Sequence, residues 1–240
     1  MLRMAFLRQY QNADAMNRRN ILELMQDRTY STLCDLGCDD GEWTLQIARS
    51  IGARQSFGVE VEAKQARLAS ARGVLVAVSD LAAAFPFADE SFELVHANQV
   101  IEHVVDVDHF LAETNRILRV GGTAVISTEN GSSWHNIFAA TMGWQIFSLT
   151  NVSGLSRSVG NPMALHSGEP VVPTSWTHKT IFNYRGLIEL IRVHGLEVVE
   201  VKGAGYYPLP ASVGRLDVRH SHFIAVKAVK TAPTARGASA

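Results

Sequence analysis

The chain has 240 residues, enough for one sizeable domain with a small elaboration. Hydrophobic residues make up 47% and charged residues 19%, a balance that excludes a disordered chain. A formal net charge of -1, without a long basic run, gives no electrostatic reason to recruit nucleic acid.

A helical segment is expected over 4–28, and the chain from 1 to 29 reads as an N-terminal helical extension. Its first twenty residues lack the apolar run and small-residue cleavage site of a secretory leader, so the expected location is cytoplasmic. The first strand, 30–36, runs into "DLGCDDG" and an amphipathic helix, 42–52, closed by a glycine. Cys34 and Cys38 fall inside this strand and turn, and read as reduced structural thiols. A second strand (56–61), a helix (63–73) and a third strand (74–80) follow, then a fourth strand (92–98) entered from "PFADES". Helix and glycine turn (107–122) lead to a fifth strand, 123–130. Residues 131–182 interrupt the alternation, and between Glu129 and Arg157 there is no Asp, Glu, Lys or Arg. That stretch is too polar to span a bilayer. It is expected to be a substrate lid or insertion, with peripheral membrane contact through 131–156. A helix (183–195) and two strands (196–205 and 221–230) complete the domain at 30–230. The tail, 231–240, reads as disordered. Strands alternating with helices predict an α/β fold: a doubly wound, mostly parallel seven-stranded sheet with its last strand antiparallel.

In such a sheet ligands lie beyond the carboxyl ends of the strands, and the first three strands each end in an acid: Asp35, Glu60 and Asp80. Gly37 and Gly41 let the backbone of the first turn approach a ligand closely. Glu60 lies 19 positions after Gly41, where a carboxylate suits ribose hydroxyls. Asp80 can accept from an exocyclic amine such as that of adenine. Asp40, just before the helix, suits an N-cap. Asp39 occupies a position at which Asp tolerates left-handed backbone. The ligand's charge separates two nucleotide readings. A pyrophosphate favours bare amides at a helix N-terminus, and carboxylates packed around that turn repel it. They suit an adenosyl ligand carrying ammonium and sulfonium groups. The spacing G-x-x-x-G also differs from the dinucleotide G-x-G-x-x-G.

With "LCDLGCDDG", "GVE", "VSDLAAAFPFADESFELVHANQVIEHV" and "NRILRVGGTAVIST", the sequence resembles the class I S-adenosylmethionine-dependent methyltransferases over roughly residues 30–130. The resemblance implies a Rossmann-like methyltransferase fold with S-adenosylmethionine as cofactor and S-adenosylhomocysteine as product. It implies that the loop of Asp35, Gly37, Cys38, Asp39 and Gly41 contacts the methionine end, and that Glu60, with Val61 beside it, holds the ribose. It further implies that Asp80 and the Leu81 backbone meet adenine, and that Asn98, followed by Gln99, lies beside the transferable methyl. Asp39 departs from the family pattern, which has glycine there.

His103, His135 and His178 are candidates for a general base facing the acceptor. "QVIEH" is similar to a Glu-x-x-Glu-His metal site of some methyltransferases of this fold, but Gln99 takes the first position. Glu102 and His103 alone make a poor site, so no metal is expected. Trp134, Phe138, Trp144 and Phe147 could cover an acceptor, and "GYYPLP" (205–210) could rim its pocket. The expected activity is methyl transfer to an O, N or C atom of a small-molecule or lipid- or sugar-linked acceptor. The alternatives are a dinucleotide-dependent oxidoreductase and a non-catalytic relative acting through a protein partner.

Overall fold

The structure, a computed structural model, describes residues 2–170 and 173–233, with side chains from residue 6 onward. Most of the predicted tail, 234–240, lies outside the described residues.

Seven strands form one sheet in the order β3-β2-β1-β4-β5-β7-β6. They are β1 (Thr32–Leu36), β2 (Gln55–Glu60), β3 (Leu75–Val78), β4 (Phe92–Asn98), β5 (Leu118–Glu129), β6 (Leu196–Ala204) and β7 (Phe223–Lys230). Strands β1 to β5 pair in parallel, and β7 runs antiparallel to both β5 and β6. This is the predicted Rossmann-like methyltransferase fold. The central strands are buried along nearly their whole length, as strands covered by helices on both faces must be.

The helices are α1 (Leu2–Met25), α2 (Glu42–Ile51), α3 (Ala63–Arg72), α4 (Val107–Ile117), α5 (Trp134–Thr141) and α6 (Tyr184–Val193). Helix α1 is no detached extension. It buries Ala13, Ile21, Leu24 and Met25 against the sheet, and its buried Asn20 donates to the Gly203 carbonyl on β6. Among its described residues the insertion holds α5 and two short 3-10 turns, Phe147–Leu149 and Thr174–Trp176. Along α5 and its C-cap, Trp134, Phe138 and Met142 recur every fourth residue and are all about half exposed.

Two local expectations change. Helix α4 stops at Ile117, and β5 begins at once, through the Gly121–Gly122 pair expected to be a turn. Gly121, at φ 77°, takes a left-handed conformation that lets the chain kink and continue, with a register shift against β4. Helix α4 can end there because the buried Lys230 reaches across from β7. Its Nζ donates to the Asn115 and Leu118 carbonyls at 2.9 and 2.8 Å, satisfying acceptors that the helix leaves open. Secondly, the N-cap of α2 is Gly41 at φ 79°, not Asp40. Asp40 sits one residue earlier, because the turn needs the left-handed conformation at the cap itself. Its Oδ1 accepts from the Glu42 amide at 3.1 Å, and its other oxygen pairs with Arg72 at 2.9 Å.

Candidate active site

The strand order reverses between β1 and β4, and a cavity of about 740 Å³ opens there beyond the carboxyl ends of the strands. Gly37, Asp39, Glu60, Val61, Asp80, Leu81, Asn98 and Gln99 all border it, so eight residues named from sequence come together on one wall.

The turn after β1 is held by its own polar groups. Asp39 is left-handed (φ 47°), its amide donates to Glu60 Oε2 at 2.9 Å, and its carboxylate accepts from Gln65. Glu60 Oε1 accepts from the Glu62 amide at 2.8 Å, so two amides fix this carboxylate at the rim. Burial pushes the Glu60 carboxyl above its usual range. Gly37 is left-handed, and a Cβ on it would lie 2.6 Å from Val100 Cγ2. Asp80 Oδ1 accepts from the Ala82 amide at 2.9 Å, and Asp80 borders the cavity. Asn98 ends β4 and accepts from Asn17 Nδ2 on α1 at 3.1 Å; Asn17 in turn accepts from Ser127. Gln99 is left-handed (φ 56°), with its Nε2 buried and unpartnered.

Three residues of the loop lie behind it. Asp35 is buried, bonded to Thr44 and, at 2.7 Å, to His96 Nδ1. Cys38 packs with Ala69 and Val74, where burial pushes its thiol up. Gly41 abuts Ala69 of α3. Their side chains or Cα positions shape the turn rather than border the cavity.

The three histidines divide between two spaces. His103 and His178 border the large cavity, their rings 4.7 Å apart. His135 borders a smaller one of about 100 Å³, with Tyr10, Met163, Leu165, Tyr207 and His222 around it. The two spaces share Tyr10, Glu129, Phe147, Thr150 and His166, so the small one is an apolar annexe of the large one. Burial lowers His103 to about 4 and holds His135 well below the usual histidine range, which keeps both rings neutral at pH 7. Of the four aromatics expected to cover an acceptor, Phe147 borders both spaces; Trp134 instead stacks on His220 and donates to Tyr206. Of the segment 205–210, expected to rim the acceptor pocket, Tyr207 borders the annexe. Tyr10, on α1, carried no motif signal in the sequence, because only the packing of α1 across the sheet brings it here.

The residues present fit an adenosyl sulfonium ligand. Asp39, Glu60 and Asp80 give the strand-end side of the cavity a negative lining, while its two lining cations, Arg157 and Lys179, come from the insertion. Asp40 holds the α2 N-terminus, where a pyrophosphate would otherwise sit.

Sheet order and cavity together define a class I methyltransferase fold. Residues 34–126 match the family described as "Methyltransferase domain", which is consistent with a class I methyltransferase domain in that segment. Over 91 residues it is 40% identical to a demethylmenaquinone methyltransferase of Thermobifida fusca, covering 38% of each chain. Over 114 residues it is 28% identical to the protein of that name in Staphylococcus aureus, covering 45% of this chain and 47% of the other. The chain thus spans less than half the length of these curated relatives. Among solved structures it is similar to an S-adenosylmethionine-dependent methyltransferase of Mesorhizobium loti (TM-score 0.58, 20% identity, 87% of this chain and 95% of that one). It is also similar to geranyl diphosphate C-methyltransferase of Streptomyces coelicolor (TM-score 0.57, 15% identity, 90% and 80%). At these identities the structures speak for the fold. Among the described residues no helix is long and apolar enough to cross a membrane.

Proposed function

We propose that the protein is an S-adenosylmethionine-dependent methyltransferase whose acceptor is a small, largely apolar molecule, free or lipid-linked, reaching the annexe beside Tyr10 and Phe147. The observation that carries this reading is the Asp40 carboxylate accepting from the Glu42 amide at the start of α2, with Asp39, Glu60 and Asp80 along the cavity wall. That arrangement favours a cationic nucleoside over a dinucleotide. When bound, the cofactor supplies an activated methyl on a sulfonium leaving group.

The residues of this chain do the positioning. Glu60 offers a carboxylate, already fixed by two amides, to the ribose hydroxyls. Asp80 and the Leu81 backbone meet the adenine edge, and Gly37 lets the backbone come close to the methionine portion. Asn98, oriented by Asn17, ends β4 beside the transfer point. Holding the two reactants in line supplies most of the acceleration such a displacement needs. The apolar annexe receives the acceptor and excludes water, which suits the relatives named for demethylmenaquinone methylation. His103, held neutral by burial, borders the same cavity beside His178 and can accept an acceptor proton.

Calorimetric titration tests this. S-adenosylhomocysteine is expected to bind with micromolar affinity and NAD(H) not at all. Glu60→Ala removes hydrogen bonds from two ribose hydroxyls to a charged acceptor, a loss of about 3 kcal/mol or roughly 100-fold in affinity. Binding of NAD(H) in place of S-adenosylhomocysteine would restore the oxidoreductase alternative.

A further inference from the structure

Glu102, His103 and His178 meet in three dimensions although 74 residues of chain separate the two histidines. A carboxylate oxygen of Glu102 and one nitrogen of each ring all lie within 4.8 Å of one another. The backbone builds this meeting. The Glu102 carbonyl accepts from the amides of Lys179 and Thr180 at 2.7 and 3.2 Å, clasping the end of the insertion to the segment after β4. The clasp sets His178 against His103.

The chemistry of the three side chains is matched. His103 Nδ1 faces the Thr177 carbonyl at 3.2 Å, and His178 Nδ1 faces the Ser148 carbonyl at 2.5 Å. A carbonyl can only accept, so in the neutral form that metal binding requires each ring carries its proton on Nδ1 and leaves the Nε2 lone pair for a ligand. Backbone carbonyls holding the outer nitrogen of a histidine are the usual support behind metal-bound imidazole. Glu102 is 0% exposed, and both its carboxylate oxygens lack a hydrogen-bond partner. The Thr128 hydroxyl lies close enough to act on its charge but out of hydrogen-bonding geometry, and it too is unpaired. A buried carboxylate with neither oxygen satisfied is a costly arrangement for a protein to keep. His103 and His178 both border the large cavity, so the open side of the cluster faces the space next to Asn98 and Gln99.

We propose that Glu102, His103 and His178 form a binding site for one divalent first-row transition metal ion, with its remaining coordination positions open to the cavity. Two imidazole nitrogens and one carboxylate suit zinc, iron(II) or cobalt(II); magnesium and calcium prefer all-oxygen shells. Three protein ligands with open positions are the pattern of a reactive site, not of a closed structural one. Resting on the methyltransferase reading, those positions would take an oxygen of the acceptor and hold it beside the methyl group. Counting only Glu102 and His103 leads to no metal, because the third ligand comes from the insertion.

The test uses the full-length protein stripped with chelator and titrated with Co²⁺, followed by visible absorption, and with Zn²⁺, followed by calorimetry. One equivalent of each is expected to bind, Co²⁺ with a d–d spectrum of mixed N/O ligation. Since losing even an outer-shell partner costs 10–100-fold, His178→Ala and His103→Ala should each weaken binding by more than ~100-fold. Glu102→Gln should do the same, and His194→Ala, remote at the C-cap of α6, should not. Melting curves and S-adenosylhomocysteine affinity for each variant show whether it is folded. Absence of stoichiometric binding to the wild type overturns the site, as does binding unchanged in the folded His178→Ala and His103→Ala variants. Metal binding without S-adenosylhomocysteine binding leaves the site standing and removes the methyltransferase reading instead.

Discussion

Arg116 shows how one side chain turns two separate sequence motifs into one unit. Its guanidinium donates to both Glu113 oxygens at 2.6 and 2.7 Å, to the Phe85 and Phe87 carbonyls at 3.0 and 2.8 Å, and to Asp89 at 2.8 Å. The "PFADES" turn and the "NRIL" helix end, which flank β4 in the sequence, are thus bonded to each other. Glu113 adds a bond from the Phe85 amide at 2.7 Å. Lysine has three donors and no planar fork, so it cannot reproduce this set. Arg116→Lys is expected to lower stability by about 2 kcal/mol, the scale of losing charged hydrogen bonds at a half-buried site. Urea unfolding should show it as a lower midpoint at unchanged slope. Asp39 belongs to the same scale. Its tolerance of left-handed backbone was readable from residue type alone, whereas its bonds to Glu60 and Gln65 depend on β2 and α3 lying alongside.

At the scale of elements, helices end where a partner satisfies them. The sequence around Gly121 and Gly122 reads as a turn that follows a long helix. The helix stops at Ile117 because Lys230, from the far end of the chain, meets its last carbonyls. Lys230→Met would keep much of the apolar stem and remove the donors to two buried carbonyls. At about 1–3 kcal/mol for each orphaned buried group, the expected loss is about 3 kcal/mol, measured by thermal or urea unfolding. An unchanged stability would mean that water or the Asn115 neighbourhood replaces the ammonium. Helix α1 makes the same point for the site. Its amphipathic pattern is legible, but the delivery of Tyr10 to the annexe and Asn17 to Asn98 follows from where it docks.

Over the whole molecule, ion pairs tie the peripheral helices to the sheet and set the response to acid. Glu23 on α1 receives Lys202 of β6 at 2.9 Å and Arg215 at 2.8 and 2.9 Å, and these partners lower its carboxyl from 4.5 to about 2. Hydrogen bonds from Arg116 likewise hold Glu113 below the usual range. A carboxyl depressed in the folded state contributes its full stability above its unfolded value. That contribution is lost as the pH falls through the folded value. Stability is therefore expected to fall between about pH 4.5 and 2, and Glu23→Gln should flatten this acid limb while lowering stability at neutral pH. Chemical unfolding at a series of pH values measures both. An acid limb identical in wild type and variant would remove Glu23 from the account.

The alternation of strand and helix signals, the glycine turn and the acids ending β1, β2 and β3 are local or nearly local, and they sufficed to determine the sheet type and one wall of the cavity. Parallel strands place their carboxyl ends together, so residues far apart in the chain but equivalent along their strands were bound to converge. The opposite wall obeys no such repeat. His178 reaches Glu102 and His103 through backbone bonds across the insertion, and Lys230 reaches α4 across the sheet. Tyr10 arrives on a helix whose docking is set by buried area rather than by spacing. Those contacts join segments with no shared period, and packing in three dimensions decides them.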